Sequence, residues 1–302
     1  MTSELLIILS PPRSFSSVVS TMIGQHPDLY GFPELHLFVA DTIQGVMEHH
    51  AHRGRPQGPP GLLRTLAQLH DKTQTIATIA KARLWLSERG DWSTKKLYDY
   101  LLELIHPKIG VEKSPVTVTT KEFIERAYQY YPQASYLHLI RHPVSARKSM
   151  LEFVDRKGKS SKVEPITGLP IDPIRLWYNT HLNITNFINS LPTGQSMRVK
   201  GEDILSDPDL YLPQISEWLG IRTDKAAIEA MKHPEDSPYA CVGPYPARGG
   251  NDGKFMMSPK LRPGKVKEPS LANEIEQGAL KWAVNEGFSE KLSKLAHQVG
   301  YV

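Results

Sequence analysis

An arginine and a cluster of hydroxyls follow the first apolar run of the chain, Glu4-Leu-Leu-Ile-Ile-Leu-Ser-Pro-Pro-Arg13-Ser14-Phe15-Ser16-Ser17. A run of strand length that turns into a helical pattern is one way an α/β protein holds a phosphate or sulfate. Backbone N–H groups at the helix start point at the anion, and the helix dipole favours negative charge there. Arg13 adds a two-pronged guanidinium contact, and Ser14, Ser16 and Ser17 add donors. The plainer alternative is a surface arginine after a core strand, with Ser14 as a helix cap. No Gly-x-x-x-x-Gly-Lys-Ser/Thr loop and no Gly-x-Gly-x-x-Gly occurs anywhere in the chain, so neither of the common nucleotide fingerprints applies.

The same strand–turn–helix pattern recurs at His138-Leu-Ile-Arg141-His-Pro-Val-Ser-Ala-Arg-Lys-Ser149. Arg141 leaves the strand end, and Ser149 lies two turns into the next helix, so a second anionic group can be held between them and the helix start. Late in the chain, Lys260-Leu-Arg262-Pro-Gly264-Lys265-Val is a flexible basic loop. Gly264 lets backbone approach an anion closely, and Arg262 and Lys265 supply charge. One ligand with two separated anionic groups accounts for all three basic elements. Arg147 and Lys148 read as solvated charges. Two acidic motifs complete the set, Pro33-Glu34-Leu-His36 and Gly110-Val-Glu112-Lys113-Ser-Pro. On an extended strand Glu34 and His36 share a face, whereas Glu34 in a first helical turn is only a dipole-favoured charge. Lys113 serves either the anion or its neighbour Glu112.

The elements that carry these residues alternate. Strands are predicted at Leu5–Leu9, near Tyr30–Phe32, at Ile109–Val111, Ser135–Ile140 and Met197–Lys200. Helices are expected after the first strand, from Leu37 to about His50, from Thr120 to about Tyr131, from Pro143 to about Val154, over Asp172–Ser190 and over Pro208–Leu219. Residues 62–106 read as two or three helices with no strand. Lys157–Gly168 and Pro234–Pro269 read as loops, and two helices close the chain. Strand–helix alternation predicts an α/β fold, a central parallel sheet flanked by helices, as one domain over 1–302 with a helical cap or insertion at about 37–106. In such sheets ligands collect at the carboxyl ends of the strands. The motifs at Arg13, Glu112-Lys113 and Arg141 all follow predicted strands.

Composition bounds the function. The chain has 302 residues, 40% hydrophobic and 23% charged, with a net charge of +4. Those fractions are ordinary for a globular domain. The mild basicity suits a small anionic ligand, and no dense Lys/Arg stripe interleaved with aromatics calls for nucleic acid. The single cysteine, Cys241, allows no internal disulfide and fits a reducing, cytoplasmic setting. No apolar run approaches the roughly 20 residues that span a bilayer, and the N-terminus lacks a secretory pattern. None of the 12 histidines belongs to a convincing metal-ligand set. His49, His50 and His52 read as solvated helix surface, and His142 as a turn residue.

Taken in order, these motifs resemble the sulfotransferases that use 3′-phosphoadenosine 5′-phosphosulfate (PAPS). Ser10-Pro-Pro-Arg13-Ser14-Phe15-Ser16-Ser17 resembles the family's 5′-phosphosulfate loop, and Leu139-Ile-Arg141-His-Pro…Ser149 its 3′-phosphate motif. Arg262-Pro-Gly264-Lys265-Val resembles the late loop that closes over the nucleotide. Val199-Lys-Gly-Glu202-Asp203-Ile-Leu resembles the family's Tyr-Glu-Asp-Leu segment. Pro33-Glu34-Leu-His36 and Glu112-Lys113 have counterparts nearest in glycan-type and bacterial small-molecule or polyketide-associated members. One departure stands out: the family loop carries glycine where this chain has Phe15, which places the ring against the ligand or the core.

The resemblance implies a P-loop-like sulfotransferase fold and transfer of a sulfuryl group, in line, from PAPS to a hydroxyl or amine. It implies no metal. Charge builds on the leaving phosphate, so Arg13, with Lys113 as a second candidate, would stabilise it. Glu34, or His36 beside it, would take the acceptor proton. Ser14, Phe15, Ser16, Ser17, Arg141, Ser149, Arg262, Gly264 and Lys265 would bind the nucleotide. The expected partner is a small-molecule acceptor, with no nucleic acid and no membrane. Its pocket would be shaped by residues 62–106, Lys157–Gly168 and the Gly-rich loop Ala247–Phe255. Two alternatives predict other behaviour: a small-molecule kinase would need Mg²⁺ and ATP, and a non-catalytic anion-binding protein of the same fold would bind nucleotide without transfer.

Overall fold

The computed structural model describes residues 4–156, 172–262 and 264–301. The loop expected at Lys157–Gly168 lies outside the described residues. Five parallel strands form one sheet in the order β2-β3-β1-β4-β5: β1 (Leu5–Leu9), β2 (Leu29–Gly31), β3 (Ile109–Glu112), β4 (Ser135–Ile140) and β5 (Ser196–Lys200). The central strand β1 is apolar and buried along its whole length, as a strand covered on both faces must be. Its side chains alternate between two cores. Leu5, Ile7 and Leu9 pack with one set of helices, Leu6 and Ile8 with the other, the period of two that a pleated strand imposes.

The helix α1 (Ser16–Gly24) follows β1 directly and lies on the Leu6/Ile8 face. On the Leu5/Ile7/Leu9 face sit α2 (Ile43–Ala51), α3 (Pro60–Asp71), α4 (Ile76–Ser87), α5 (Thr94–Ile105) and α6 (Lys121–Tyr130). The stretch 62–106, read as two or three helices with no strand, holds three, α3 to α5, and no strand. Helix α7 (Pro143–Arg156) starts at Pro143, where a proline's missing N–H costs nothing. It is followed by α8 (Pro173–Ile188), α9 (Gly201–Ser206), α10 (Pro208–Leu219) and α11 (Lys225–Met231).

Three departures from the expected elements have local causes. The helix predicted from Leu37 to His50 is broken. A single 3₁₀ turn spans Leu37–Val39, Ala40 is extended, and the Thr42 hydroxyl accepts from the Gly45 amide at 3.1 Å to start α2 anew. The long loop Pro234–Pro269 contains a 3₁₀ turn at Pro234–Asp236 and a short helix, α12 (Gly253–Met257), capped by Asp252. Three helices rather than two close the chain, α13 (Leu271–Glu276), α14 (Trp282–Asn285) and α15 (Ser289–Gln298), and with Ile140 and Trp177 they form a third apolar cluster.

Candidate active site

Chain direction makes the crevice. From β1 the chain leads to β2 on one side of the sheet; from its neighbour β4 it leads to β5 on the other side. Where connections diverge from adjacent parallel strands, a cleft opens at their carboxyl ends. Arg13 leaves β1 and Arg141 leaves β4 at that cleft. Arg141 Nη1 donates to the Arg13 carbonyl at 2.7 Å, and its Nε donates to Ser145 Oγ at 3.1 Å. Burial draws the Arg141 guanidinium down to about 10, with Arg13 adding to the shift, so it remains charged at neutral pH.

The loop between β1 and α1 is wound tightly. Arg13 (φ 68°) and Phe15 (φ 60°) both adopt the left-handed conformation that glycine ordinarily supplies. Left-handed residues in such a turn aim backbone N–H groups into a concavity suited to anions. No side chain caps α1 at Phe15, which leaves the helix's first amides free for a ligand. The hydroxyls of Ser10 and Ser14 are buried without a hydrogen-bond partner, an arrangement that an oxyanion at the loop would satisfy. Ser16 and Ser17 are buried in the first turn of α1. The Phe15 ring lies under the Arg141 guanidinium, 3.9 Å from ring centroid to Cζ, and against Gly201. A Cβ at Gly201 would stand 2.8 Å from the Phe15 ring, so glycine there makes the ring's position possible.

Ser149 meets Arg13 rather than Arg141: Arg13 Nε donates to Ser149 Oγ at 3.2 Å. Ser145 and Ser149 share one face of α7 a turn apart; Ser145 takes Arg141, and Ser149, one turn further along, meets Arg13. Arg13 also pairs with the Asp252 carboxylate and lies over the Phe153 ring.

Beyond β3, Lys113 is fully buried and turns to Glu34, not to its neighbour Glu112. Its Nζ donates to Glu34 Oε1 at 2.8 Å, to Ser17 Oγ at 3.2 Å and to Asn251 Oδ1 at 3.2 Å. Burial alone would raise the Glu34 carboxyl, but the Lys113 charge and the hydrogen bonds from His36 and Lys113 outweigh it and hold Glu34 at about 2. Glu112 has no such cation in contact, and burial pushes it up to about 7. Glu34 and His36 meet without a strand: Pro33–His36 is irregular, and His36 is left-handed at φ 58°. Packing of the backbone fixes Glu34. Its amide donates to the Gly250 carbonyl at 2.7 Å, and a Cβ at Gly61 would stand 2.2 Å from its carbonyl oxygen.

His36 Nε2 lies 3.4 Å from Glu34 Oε2, and its Nδ1 lies 3.2 Å from His50 Nε2. His50 is therefore not solvated helix surface as expected; it is 2% exposed and looks inward from α2. Sequence reading also passed over Asn251 and Asp252, whose only signal was the glycine-rich loop around them. The Asp252 amide donates to Ser17 Oγ at 3.0 Å, so this loop lies directly on the start of α1. Glu202, in the segment after β5, fixes the turn after β4 by accepting from the His142 amide at 2.9 Å. The late basic residues are not drawn in. Arg262, Gly264 and Lys265 are exposed, and Arg262 contacts only Ser258, at 3.5 Å, among the described hydrogen bonds. Among the described residues no group of side chains could hold a metal ion, and no helix is long and apolar enough to cross a membrane.

A cleft at diverging parallel strands, with Arg13 and Arg141 meeting at it beside an uncapped helix start, is an arrangement suited to anionic groups. The sequence profile described as "Sulfotransferase family" matches residues 6–225, and the chain belongs to that family. Its fold is that of the family's solved members. The sulfotransferase domain from the curacin biosynthetic pathway is 21% identical, with 99% of this chain and 98% of that one covered and a TM-score of 0.73. The sulfotransferase domain of the Synechococcus PCC 7002 olefin synthase is 25% identical, with 99% and 94% covered and a TM-score of 0.73. A sulfotransferase from Alicyclobacillus acidocaldarius is 14% identical over 98% and 96%, with a TM-score of 0.52. No curated protein matches the chain by sequence.

Proposed function

We propose that this sulfotransferase moves the sulfuryl group of PAPS to a hydroxyl or amine of a small-molecule acceptor, with no metal. The observation that carries this reading is the meeting of Arg13 and Arg141 beside the uncapped start of α1, with the orphaned Ser14 hydroxyl between them in the chain. Two anionic groups joined in one ligand match two guanidinium groups from adjacent strand tips. The residues present fit the donor: Arg13, Ser14, Ser16, Ser17 and the α1 amides would hold the 5′ end, and Arg141 the 3′-phosphate. Ser149 would act through Arg13. Arg262, Gly264 and Lys265 would join only by moving toward the ligand.

PAPS supplies an S–O bond to a good leaving phosphate. That bond breaks as the acceptor oxygen or nitrogen bonds to sulfur, the electron pair stays on the phosphate, and the acceptor proton passes to the protein. Arg13 and Lys113 would oppose the charge that develops on the leaving group. Glu34 would receive the proton. Its low resting basicity comes from Lys113, so an anion that competes for Lys113 loosens that hold and makes Glu34 a better base. The small-molecule acceptor rests on the family, and likeness to a biosynthetic-pathway domain supports it. We read residues 1–302 as one domain, with the helices of residues 43–105 shaping the acceptor side, and place it in the cytoplasm on the strength of its single cysteine.

Titration calorimetry with 3′-phosphoadenosine 5′-phosphate, together with transfer from labelled PAPS in metabolite extracts, tests the reading. Arg13→Ala should cut turnover by about a hundredfold or more, the scale of losing one preorganised charge donor. Glu34→Gln should lose transfer and keep nucleotide binding. A wild-type protein that binds no nucleotide, or that requires ATP and Mg²⁺, overturns it.

A further inference from the structure

We propose that His50 is a positioning residue that locks His36 as an N–H donor to Glu34 and so keeps His36 from serving as the base. This rests on Glu34 being the proton acceptor, and it decides between two side chains that the sequence left as alternatives.

The argument is an inventory of protons. Glu34, held ionised by Lys113, can only accept hydrogen bonds. The His36 nitrogen that faces it, Nε2 at 3.4 Å, must therefore carry hydrogen. A neutral imidazole has one N–H, so His36 Nδ1 is an acceptor, and His50 Nε2 at 3.2 Å is its donor. His50 Nδ1 then holds a lone pair, buried and without a partner. The opposite assignment sets the His36 Nε2 lone pair against a carboxylate and buries a His50 Nδ1–H with no acceptor. An orphaned donor and a repulsive contact make that state the worse one. A doubly protonated His36 meets the same obstacle, since its Nδ1–H would again force the His50 proton onto Nδ1.

The surroundings hold this pattern in place. The His36 amide donates to Ser114 Oγ at 3.1 Å, which pins a left-handed residue that would otherwise relax. The titratable groups that face the pair are Glu34 and, through it, Lys113 on one side; His49, Arg53 and Arg55 stand on the other. Burial disfavours charge on His50, and the cations on the far side act in the same sense. Such a chain orients the base: Glu34 is gripped at Oε1 by Lys113 and at Oε2 by His36, and His50 fixes the second grip.

Long-range ¹H–¹⁵N correlation on protein labelled at its histidines reads the tautomers directly and needs no acceptor. At pH 7.5 both His36 and His50 should appear as Nε2–H tautomers. His50→Phe removes the donor, and the ¹⁵N signal of the unprotonated His36 Nδ1 should then move away from its hydrogen-bonded position while Nε2 keeps its proton. His50→Gln, whose side-chain N–H can still donate, should keep the wild-type pattern at His36. A wild-type His36 found as the Nδ1–H or doubly protonated form overturns the proposal. An unchanged His36 Nδ1 signal in a folded His50→Phe protein does the same. Full sulfate transfer by Glu34→Gln would instead refute Glu34 as base, which separates the two failures.

Discussion

Arg141 lays its guanidinium over the Phe15 ring, 3.9 Å from the centroid, while its Nη1 reaches the carbonyl of Arg13 at 2.7 Å. Phe15 thereby does something that the family's glycine cannot. It accepts a left-handed backbone, at a cost on the order of 1 kcal/mol, and supplies a platform for the second cation. A cation over an aromatic face is worth about 0.5–2 kcal/mol depending on desolvation, so the exchange is close to balanced in stability and favourable in placement. Phe15→Gly is expected to leave Tm within a few degrees and to weaken 3′-phosphoadenosine 5′-phosphate binding by about tenfold, or about 1.4 kcal/mol. Calorimetric titration that shows wild-type affinity would remove the ring from the site.

Asp252 is paired with the cation that the nucleotide would need. In the proposed site an incoming anion would have to displace that carboxylate, and the adjacent Asn251 holds Lys113 through its Oδ1. Asp252→Asn should tighten nucleotide binding by about 0.5–1 kcal/mol, the scale of a partly exposed ion pair. The gain should shrink as ionic strength rises. Weaker binding in this variant would mean that Asp252 organises Arg13 for the ligand instead of competing with it.

Arg141 is held by its planar fork: one nitrogen on the Arg13 carbonyl, another on Ser145 and the face on Phe15. Lysine keeps the charge and loses the fork and the stacking. Arg141→Lys is therefore expected to lower nucleotide affinity by about tenfold or more, with kcat at saturation much less affected. Equal binding by the two proteins, measured by equilibrium dialysis with labelled nucleotide, would show that charge alone suffices.

Acid should destabilise the fold well before its carboxylates titrate. Burial lowers His50 to about 3, His142 to about 4 and His181 to about 3, from an ordinary 6.5. Between those values and 6.5 the unfolded chain binds protons that the folded chain does not, so stability rises with pH in that window. The contribution is complete above about pH 6.5 and falls as pH drops below it, by up to about 1.4 kcal/mol per group per pH unit. Glu34, held at about 2 against 4.5 unfolded, extends the loss below pH 4.5. Scanning calorimetry should find Tm falling steadily from pH 7 to pH 5; a flat profile would contradict the buried neutral state of these rings.

Glu112 works in the opposite direction. Its folded value of about 7 lies above the 4.5 of the free carboxyl, so its contribution is full below pH 4.5 and is lost as pH rises through 7. Glu112→Gln should raise Tm at pH 8 and change it little at pH 4. A loss of stability at both pH values would show that the carboxylate is needed for packing.

The strand–turn–helix units at Arg13 and Arg141 were readable from sequence because each is a local pattern. An apolar run of strand length, a turn with one arginine and a helix start are written in consecutive residues, and backbone hydrogen bonding with a period of 2 or 3.6 turns them into structure. The order of the strands could not be read that way, yet it alone sets β1 beside β4 and brings Arg13 to Arg141. The same holds for Lys113, which chose Glu34, 79 positions away, over its covalent neighbour. It holds for His50, which sits among charged and polar residues and reads as surface until α2 is laid against the Pro33–His36 turn. Asp252 reached Arg13 across 239 positions. Local periodicity thus determined the elements and the residues at their tips. Which charges became partners, and which histidine lost its water, was decided by long-range packing, because burial and ion pairing depend on neighbours in space that chain spacing does not encode.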